Sequence, residues 1–315
     1  MKSPWSWIPT LYFAQGLPYV VVMTLAVIMF KRLGINNTDI ALYTSWLYLP
    51  WVIKPLWSPL VDIVKTKRWW VITMQLVIGG GLAGIALTLP GPHAFRYSLA
   101  FMWLLAFSSA THDIATDGFY MLGLDTKKQA FFVGIRNTAY RLAMLTGQGL
   151  IVMFAGWLEK TYSSTLPEEI AVPRAWSVTF YLLAILFVLL FLYHQFILPK
   201  PGNDVPVKNG NPLNAFFQTF ITFFQKKGII AALAFILLFR FAESQLVKIA
   251  SPFLLDNPEV GGLGLSTMQV GTIYGVVGLI ALTIGGILGG ILMAKNGLKH
   301  WIWWMTAAMN LPNLV

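Results

Sequence analysis

Long apolar runs, separated by short polar loops, recur along almost the whole of this sequence. Each run approaches the ~20 apolar residues that a helix needs to cross the ~30 Å hydrocarbon core of a bilayer. Helices are expected because only helices or closed barrels satisfy every backbone hydrogen bond in lipid. The sequence therefore predicts an all-α integral membrane protein. We place its spans at 5–30, 38–62, 69–90, 95–122, 129–157, 175–198, 229–254, 267–294 and 300–315.

The composition agrees with lipid as part of the solvent. Apolar residues make up 57% of the chain and charged residues 11%, whereas soluble domains have about 45–50% and ~25%. No cysteine is present, so disulfides and thiolate metal sites are excluded. The net charge of +10 does not predict nucleic-acid binding, because the bases cluster in loops between apolar runs. We expect a monomer in the bilayer, without a metal.

The loop charges predict an orientation. With the N-terminus inside, the inner segments carry thirteen Lys and Arg residues and the outer segments carry five. An excess of bases marks the cytoplasmic side. The first run is followed by Lys31 and Arg32 rather than by a cleavage site, so we expect it to be kept as a span. These patterns predict a multi-pass inner-membrane protein with a cytoplasmic N-terminus.

A polar segment at 199–228 interrupts the pattern. Its first part is rich in Pro, Gly, Asn and Lys, as flexible linkers are. Its second part is rich in Phe and ends in bases, which favours an amphipathic helix on the inner leaflet. We therefore predict three parts: a six-helix bundle at 1–198, a cytoplasmic linker at 199–228 and a partial bundle of about three spans at 229–315.

Charged residues inside the spans indicate function, because ionisable groups in a bilayer are costly and usually paired. Asp113 and Asp117 are four residues apart and so share one helix face. Two carboxylates on one face repel unless a proton or a cation intervenes. We predict Arg141 on the next span as that cation, and Glu243 as a further proton-coupling group. A permanent Asp–Arg clamp between two helices is the alternative.

Substrate binding is predicted where bases or polar groups meet helix breaks. Pro18, shortly after Gln15, and Pro55, directly after Lys54, are predicted to break the first and second spans. Broken helices with polar backbone often mark binding sites. Simple packing kinks, and for Arg240 a self-satisfied pair with Glu243, are the alternatives. The predicted substrate-binding residues are Gln15, Tyr19, Lys54, Arg240 and Lys248.

The short basic loop after the second span is predicted to act as an inner conformational gate, through Asp62, Lys65, Lys67 and Arg68. Glycines four residues apart also recur in the spans, as at Gly271 and Gly275. Such spacing favours close approach of two helices, and packing alone explains it.

Four blocks carry a family resemblance: Gly16-Leu17-Pro18, Lys54-Pro-Leu-Trp-Ser-Pro-Leu-Val-Asp62, Ser108-Ser-Ala-Thr-His-Asp113-Ile-Ala-Thr-Asp117 and Tyr140-Arg141-Leu-Ala-Met-Leu145. Over roughly its first 150 residues the chain resembles the AmpG-type muropeptide permease family of the major facilitator superfamily. Beyond that, only the layout of six spans, a long inner loop and further spans is similar. The family has twelve spans, so we expect this chain to be truncated at its C-terminus.

The resemblance implies proton-driven import of anhydromuropeptides, which are sugars linked to a short peptide, across a bacterial inner membrane. The proton gradient would supply the energy, and no cofactor is expected. Another facilitator substrate, such as a siderophore, a drug or an acyl-CoA-like anion, remains open. A membrane prenyltransferase is disfavoured, because holding a diphosphate through Mg²⁺ needs several carboxylates and the chain has one Asp-rich cluster. We predict a transporter and not an enzyme.

Overall fold

The computed structural model describes most of the chain, and the residues it describes form helices joined by short loops. Side chains at 130, 236, 237, 239, 241–245, 247, 248, 298, 299, 309 and 310 are outside this description. The described residues are 3–206, 217, 221, 224–239, 241–278, 280–281, 284–285, 288–289, 292 and 298–310.

Twelve helices are numbered here in chain order. The helices before the linker are α1 (Pro4–Arg32), α2 (Asn37–Trp46), α3 (Leu49–Ile53), α4 (Ser58–Ile63), α5 (Lys67–Thr88), α6 (Ala94–Gly123), α7 (Thr126–Ser163) and α8 (Glu168–Ile197). After it come α9 (Ile229–Phe239), α10 (Phe241–Leu255), α11 (Thr267–Thr272), which continues as a π-helical segment at Ile273–Val277, and α12 (Leu298–Asn310).

Four described helices, α1, α5, α7 and α8, are long and apolar enough to cross a membrane. The predicted second span is divided into α2, α3 and α4, with Pro50, Pro55 and Pro59 in the first turns of α3, of the 3-10 turn Lys54–Leu56 and of α4. A proline lacks the N–H that an α-helix needs and clashes with the preceding turn. The predicted fourth span lies on α6, which is 30 residues long but carries His112 and two aspartates in its C-terminal half.

The two predicted helix breaks differ in outcome. Lys54 lies in a short 3-10 turn, Lys54–Leu56, between α3 and α4, so the prolines do bend this part of the chain. In contrast, α1 continues through Pro18, and a π-helical segment at Val21–Leu25 follows. The prediction that Gln15 to Pro18 breaks the first span is wrong.

Helix α1 lies at the centre of the helices that precede the linker. Its residues Leu17, Val21, Leu25 and Ile28 are completely buried, and it contacts both α6 and α7. Because lipid tails are as apolar as Leu, such helices are ordered by packing rather than by exclusion from water. The predicted domain limits at 198 and 228 stay a prediction, and most of the predicted amphipathic helix lies outside the described residues.

Candidate functional site

The two aspartates of α6 face α1. The side-chain amide of Gln15 donates to Oδ1 of Asp113. One turn nearer the start of α1, the hydroxyl of Tyr12 donates to Oδ1 of Asp117 over 3.0 Å. Positions three and four residues apart share a helix face. The predicted common face of Asp113 and Asp117 is therefore confirmed, and the residues opposite them are Gln15 and Tyr12.

Lys54 provides the cation of Asp113. Its Nζ forms an ion pair with Oδ2 of Asp113, and the two side chains are 35% and 16% exposed. The 3-10 turn that holds Lys54 gives this ammonium its position beside α6. The carboxylate of Asp113 thus joins α1 to the broken second span. The Oε1 atom of Gln15 is buried and has no hydrogen-bond partner among the described atoms.

Arg136 provides the cation of Asp117. Its Nη1 lies 3.5 Å from Oδ1 of Asp117 and donates to the hydroxyl of Tyr12 over 3.0 Å. The guanidinium also lies over the rings of Tyr12 and Tyr120, at 5.3 and 5.0 Å from their centroids. A cation is attracted to the face of an aromatic ring. One phenol, one guanidinium and one carboxylate thus connect α1, α6 and α7.

The predicted pairing of Arg141 with the aspartates is wrong. Arg141 is exposed on α7 and takes part in none of the ion pairs formed by the described residues. It follows Arg136 by five residues, which turns its side chain by about 140° around a helix of 3.6 residues per turn. Arg136 is one of the thirteen bases assigned above to the inner segments, and it lies inside α7. Its spacing of four residues from Tyr140 is the signal that could have placed it on the inward face.

A second polar network lies behind the aspartates. His112 is completely buried, lies 3.1 Å from Nε2 of Gln75 and 3.4 Å from the hydroxyl of Thr116. The amide oxygen of Gln75 lies 3.0 Å from Nδ1 of His194, whose Nε2 lies 3.0 Å from the hydroxyl of Thr10. The network links α1, α5, α6 and α8. It fixes the rotation of α6, so that the face carrying the aspartates points to α1.

An uncharged cavity of about 170 Å³ lies further along α1, between helices that precede and follow the linker. Nε2 of Gln148 donates to the hydroxyl of Thr24 over 3.3 Å, and the hydroxyls of Ser251 and Tyr274 lie 3.0 Å apart. Tyr19, predicted to bind substrate, packs edge to face against Trp51. The cavity is lined by Met23, Thr24, Gln148, Leu246, Ala250, Ser251 and Tyr274.

Three predicted residues after the linker are not placed by the structure. Arg240 lies outside the described residues, and Glu243 and Lys248 lie on α10 with side chains that are not described. Their roles stay predictions.

Three of the four predicted gate residues, Asp62, Lys67 and Arg68, make polar contacts at the start of α5. Lys67 forms an ion pair with Asp62, and the backbone N–H groups of Lys67 and Arg68 donate to Asp204 over 2.7 and 3.0 Å. Lys65 is exposed. The start of the linker is thus held against the first turn of α5. A cavity of about 640 Å³ lies beside Arg68 and contains none of the predicted substrate-binding residues.

Comparison with known proteins agrees with this architecture. Residues 10–312 match the family model described as Major Facilitator Superfamily. The chain is 27% identical over 300 residues to the Rickettsia conorii protein named "Putative transporter AmpG 4", covering 90% of this chain and 66% of that protein. It is 26% identical over 299 residues to the "Anhydromuropeptide permease" of Escherichia coli strain K12, covering 91% of this chain and 54% of that permease.

The chain thus spans between half and two thirds of the length of these relatives. The crystal structure of a bacterial homolog of the human lysosomal transporter Spinster has the same fold, with a TM-score of 0.63 and 18% identity over 91% of this chain and 61% of that one. The family match covers nearly all of the helices described above. This chain therefore belongs to the Major Facilitator Superfamily.

Proposed function

We propose that the protein imports anhydromuropeptides across a bacterial inner membrane, driven by protons, with its N-terminus in the cytoplasm. The names of the relatives support the substrate class, and the excess of bases in the inner segments supports the orientation. The observation that carries the coupling is the arrangement of two carboxylates on one face of α6, each paired with a base from a different helix.

Each pair is held together by charge, so a proton can release it. Protonation of Asp113 would cancel the charge that holds Lys54, and removing one partner of a partly buried ion pair leaves the other charge without its partner. The freed Lys54 would then require another anion. Protonation of Asp117 would weaken its contact with Arg136 in the same way. Because the bases lie on the broken second span and on α7, proton binding is linked to the packing of two helices against α6.

The chemistry of a muropeptide fits both the ion pair of Lys54 with Asp113 and the uncharged cavity further along α1. A muropeptide combines a peptide, which carries carboxylates, with sugar rings, which carry hydroxyls and amides. In this proposal Lys54 binds a peptide carboxylate when Asp113 is protonated, and Gln15 and Tyr19 line the path beside it. The uncharged cavity around Thr24 and Gln148 offers hydroxyls and an amide for the sugar.

The remaining predicted residues, whether or not the structure describes them, are given these roles in the proposal. Arg240 and Lys248 would add cations for an anionic substrate, Glu243 would take part in proton coupling, and the exposed Arg141 would do so only in another conformation. Asp62, Lys65, Lys67 and Arg68 would form the inner gate. The proton gradient serves as the energy source, with no cofactor, and the protein acts as a monomer.

Uptake of labelled anhydromuropeptide into membrane vesicles, with and without an imposed pH gradient, tests the proposal. The double variant Asp113→Asn/Asp117→Asn should lose the part of the uptake that the pH gradient drives. The control is Glu259→Gln, which changes a carboxylate in an exposed loop and should leave uptake unchanged. Retained pH-driven uptake in the double variant would remove the coupling role. Transport of a siderophore, a drug or an acyl-CoA-like anion in place of the muropeptide would remove the substrate assignment.

A further inference from the structure

Glu159 is a buried carboxylate near the end of α7 to which no role has been given above. It is 5% exposed, and its two oxygens accept hydrogen bonds from three other helices. Oε2 accepts from Nε of Arg32 over 3.1 Å and from the hydroxyl of Thr267 over 2.7 Å. Oε1 accepts from Nε1 of Trp176 over 2.7 Å. Arg32 and Trp176 precede the linker and Thr267 follows it, so this carboxylate joins the two parts of the chain.

Thr267 is held firmly in place for this contact. It is the first residue of α11 and is 1% exposed. Ser266 and Gln269 form a capping box around it, in which each side chain bonds the backbone N–H of the other residue. Such a box fixes the first turn of a helix. The hydroxyl of Thr267 is therefore presented to Glu159 by a rigid helix start.

Glycines bring α7 and α11 into backbone contact along the same line. A Cβ atom added to Gly156 would lie 2.4 Å from the backbone N of Met268, and one added to Gly149 would lie 2.5 Å from Cα of Gly275. A Cβ added to Gly271 would lie 2.6 Å from the backbone N of Met153. Small residues at this spacing permit close helix approach, so the prediction made above for Gly271 and Gly275 is confirmed. No solute can pass between backbones in such contact.

A third contact closes the same end of the molecule. Lys31, beside Arg32 at the end of α1, forms an ion pair with Asp256 in the loop after α10. The side-chain amide of Asn37 also donates to Asp256, over 2.8 Å. At the start of α5, in contrast, the described contacts of Lys67 and Arg68 are with the N-terminal helices and the start of the linker. The described contacts between the two parts are thus concentrated at the end that carries Lys31.

We infer that Glu159 is the positioning residue of an external seal, holding α11 against α7 so that the substrate path is closed toward the outside. This inference rests on the transport function and the orientation proposed above. Opening the path outward separates Thr267 from Glu159 and leaves the carboxylate with Arg32 and Trp176. The bond between Glu159 and Thr267 therefore stabilises the closed state and is absent from the open one.

The absence of cysteine from the sequence allows a direct test. Val270→Cys on α11 places a single thiol at a fully buried position of the seal, and Val260→Cys places one at a position that is 74% exposed in the preceding loop. Both are labelled in intact cells with a membrane-impermeant maleimide. In the Val270→Cys background, Glu159→Gln and Thr267→Val should each raise the labelling rate about tenfold, as loss of one charged hydrogen bond shifts a two-state equilibrium.

Glu169→Gln is the matched control, because it changes an exposed carboxylate near the start of α8 and should leave the labelling rate unchanged. Thr267→Val keeps the shape of the side chain and the charge of Glu159, so it carries the test if Glu159→Gln fails to elute as a single species. Equal labelling of Val270→Cys in Thr267→Val and Glu169→Gln would overturn the seal. Labelling of Val260→Cys only in inverted vesicles would overturn its external placement. Neither readout needs a substrate, so a wrong substrate assignment leaves the test intact.

Discussion

The hydroxyl of Tyr12 lies 3.0 Å from Oδ1 of Asp117 and 3.0 Å from Nη1 of Arg136, and so joins α1, α6 and α7 through one oxygen. Tyr12→Phe removes both hydrogen bonds and keeps the ring beneath the guanidinium. A hydrogen bond to a charged group contributes about 1.5–3 kcal/mol, so we expect pH-driven uptake to fall about tenfold or more. The initial rate of uptake into vesicles measures this.

The control for that change is Tyr97→Phe, at a tyrosine that is 54% exposed on α6. It removes the same hydroxyl from a position remote from both aspartates and should leave uptake and thermal stability unchanged. If Tyr12→Phe behaves like Tyr97→Phe in both measurements, the phenol does not organise the site.

The ion pair between Lys54 and Asp113 should appear as coupling in a double-mutant cycle. Lys54→Met and Asp113→Asn each leave one charge without its partner, whereas the double variant leaves neither. We expect the double variant to be more stable than the sum of the single effects predicts, by about 1 kcal/mol. The value is at the low end because roughly a third of Lys54 is exposed and solvent screens it. Thermal unfolding of the wild type, the two single variants and the double variant in detergent measures this coupling.

The comparison pair is Lys128–Asp125, whose nitrogen and oxygen are 3.0 Å apart but whose side chains are 55% and 57% exposed. The same cycle there should give a smaller coupling, because solvent screens both charges. Equal coupling in the two cycles would mean that Lys54–Asp113 is an ordinary solvated contact.

The outcome for these residues shows what one sequence can predict. The common face of Asp113 and Asp117 follows from helical periodicity alone, which is a local property. The bases that pair with these aspartates were harder to predict. Arg136 and Arg141 lie on different faces of α7, and the choice between them depends on which face points toward α6. In a soluble protein the apolar stripe of a helix indicates the inward face. In lipid, the outward and inward faces are both apolar, so the sequence does not distinguish them.

The contact of Glu159 with Thr267 in the proposed seal could not be predicted from the sequence for a related reason. Glu159 and Thr267 are 108 residues apart, and their contact depends on how helices before and after the linker pack together. Glycine spacing at Gly271 and Gly275 did predict a helix contact, but no local pattern names the helix that it meets. The class of fold follows from local patterns, whereas the partners across helices follow from the tertiary structure.

Gly149→Ala should destabilise the closed seal. The added methyl would lie 2.5 Å from Cα of Gly275, and backbone cannot move away as a flexible side chain can. Overpacking of this kind costs about 1–3 kcal/mol, which we expect as a lower melting temperature. Gly80→Ala on α5 is the control, because nothing lies within 4 Å of its added methyl. Alanine has the higher helix propensity, by up to about 1 kcal/mol, so this control should be neutral or slightly stabilising. A melting temperature that is unchanged or raised in Gly149→Ala would show that the helices separate freely there.

Asp256, which pairs with Lys31 at the end of α1, should make the stability of the protein depend on pH. Burial alone would raise the pKa of Asp256, but hydrogen bonds from Lys31 and Asn37 and the charge of Lys31 outweigh it and hold that pKa below its ordinary value. A carboxyl with a lowered folded-state pKa stabilises the protein above its unfolded pKa of about 3.9, and this contribution is lost as the pH falls through the folded value. The wild type should therefore melt above Asp256→Asn by a constant margin from about pH 7 to 5.

That margin should shrink below about pH 4, the unfolded pKa of an aspartate, and disappear once Asp256 is protonated in the folded protein as well. Melting temperatures of the wild type and Asp256→Asn at stepped pH measure it, with Glu259→Gln as the control in the same loop. A margin that stays unchanged between about pH 5 and pH 3 would mean that the folded carboxylate of Asp256 gains nothing from Lys31. In that case the ion pair would not stabilise the closed end, and the seal would depend on Glu159 and the glycine contacts alone.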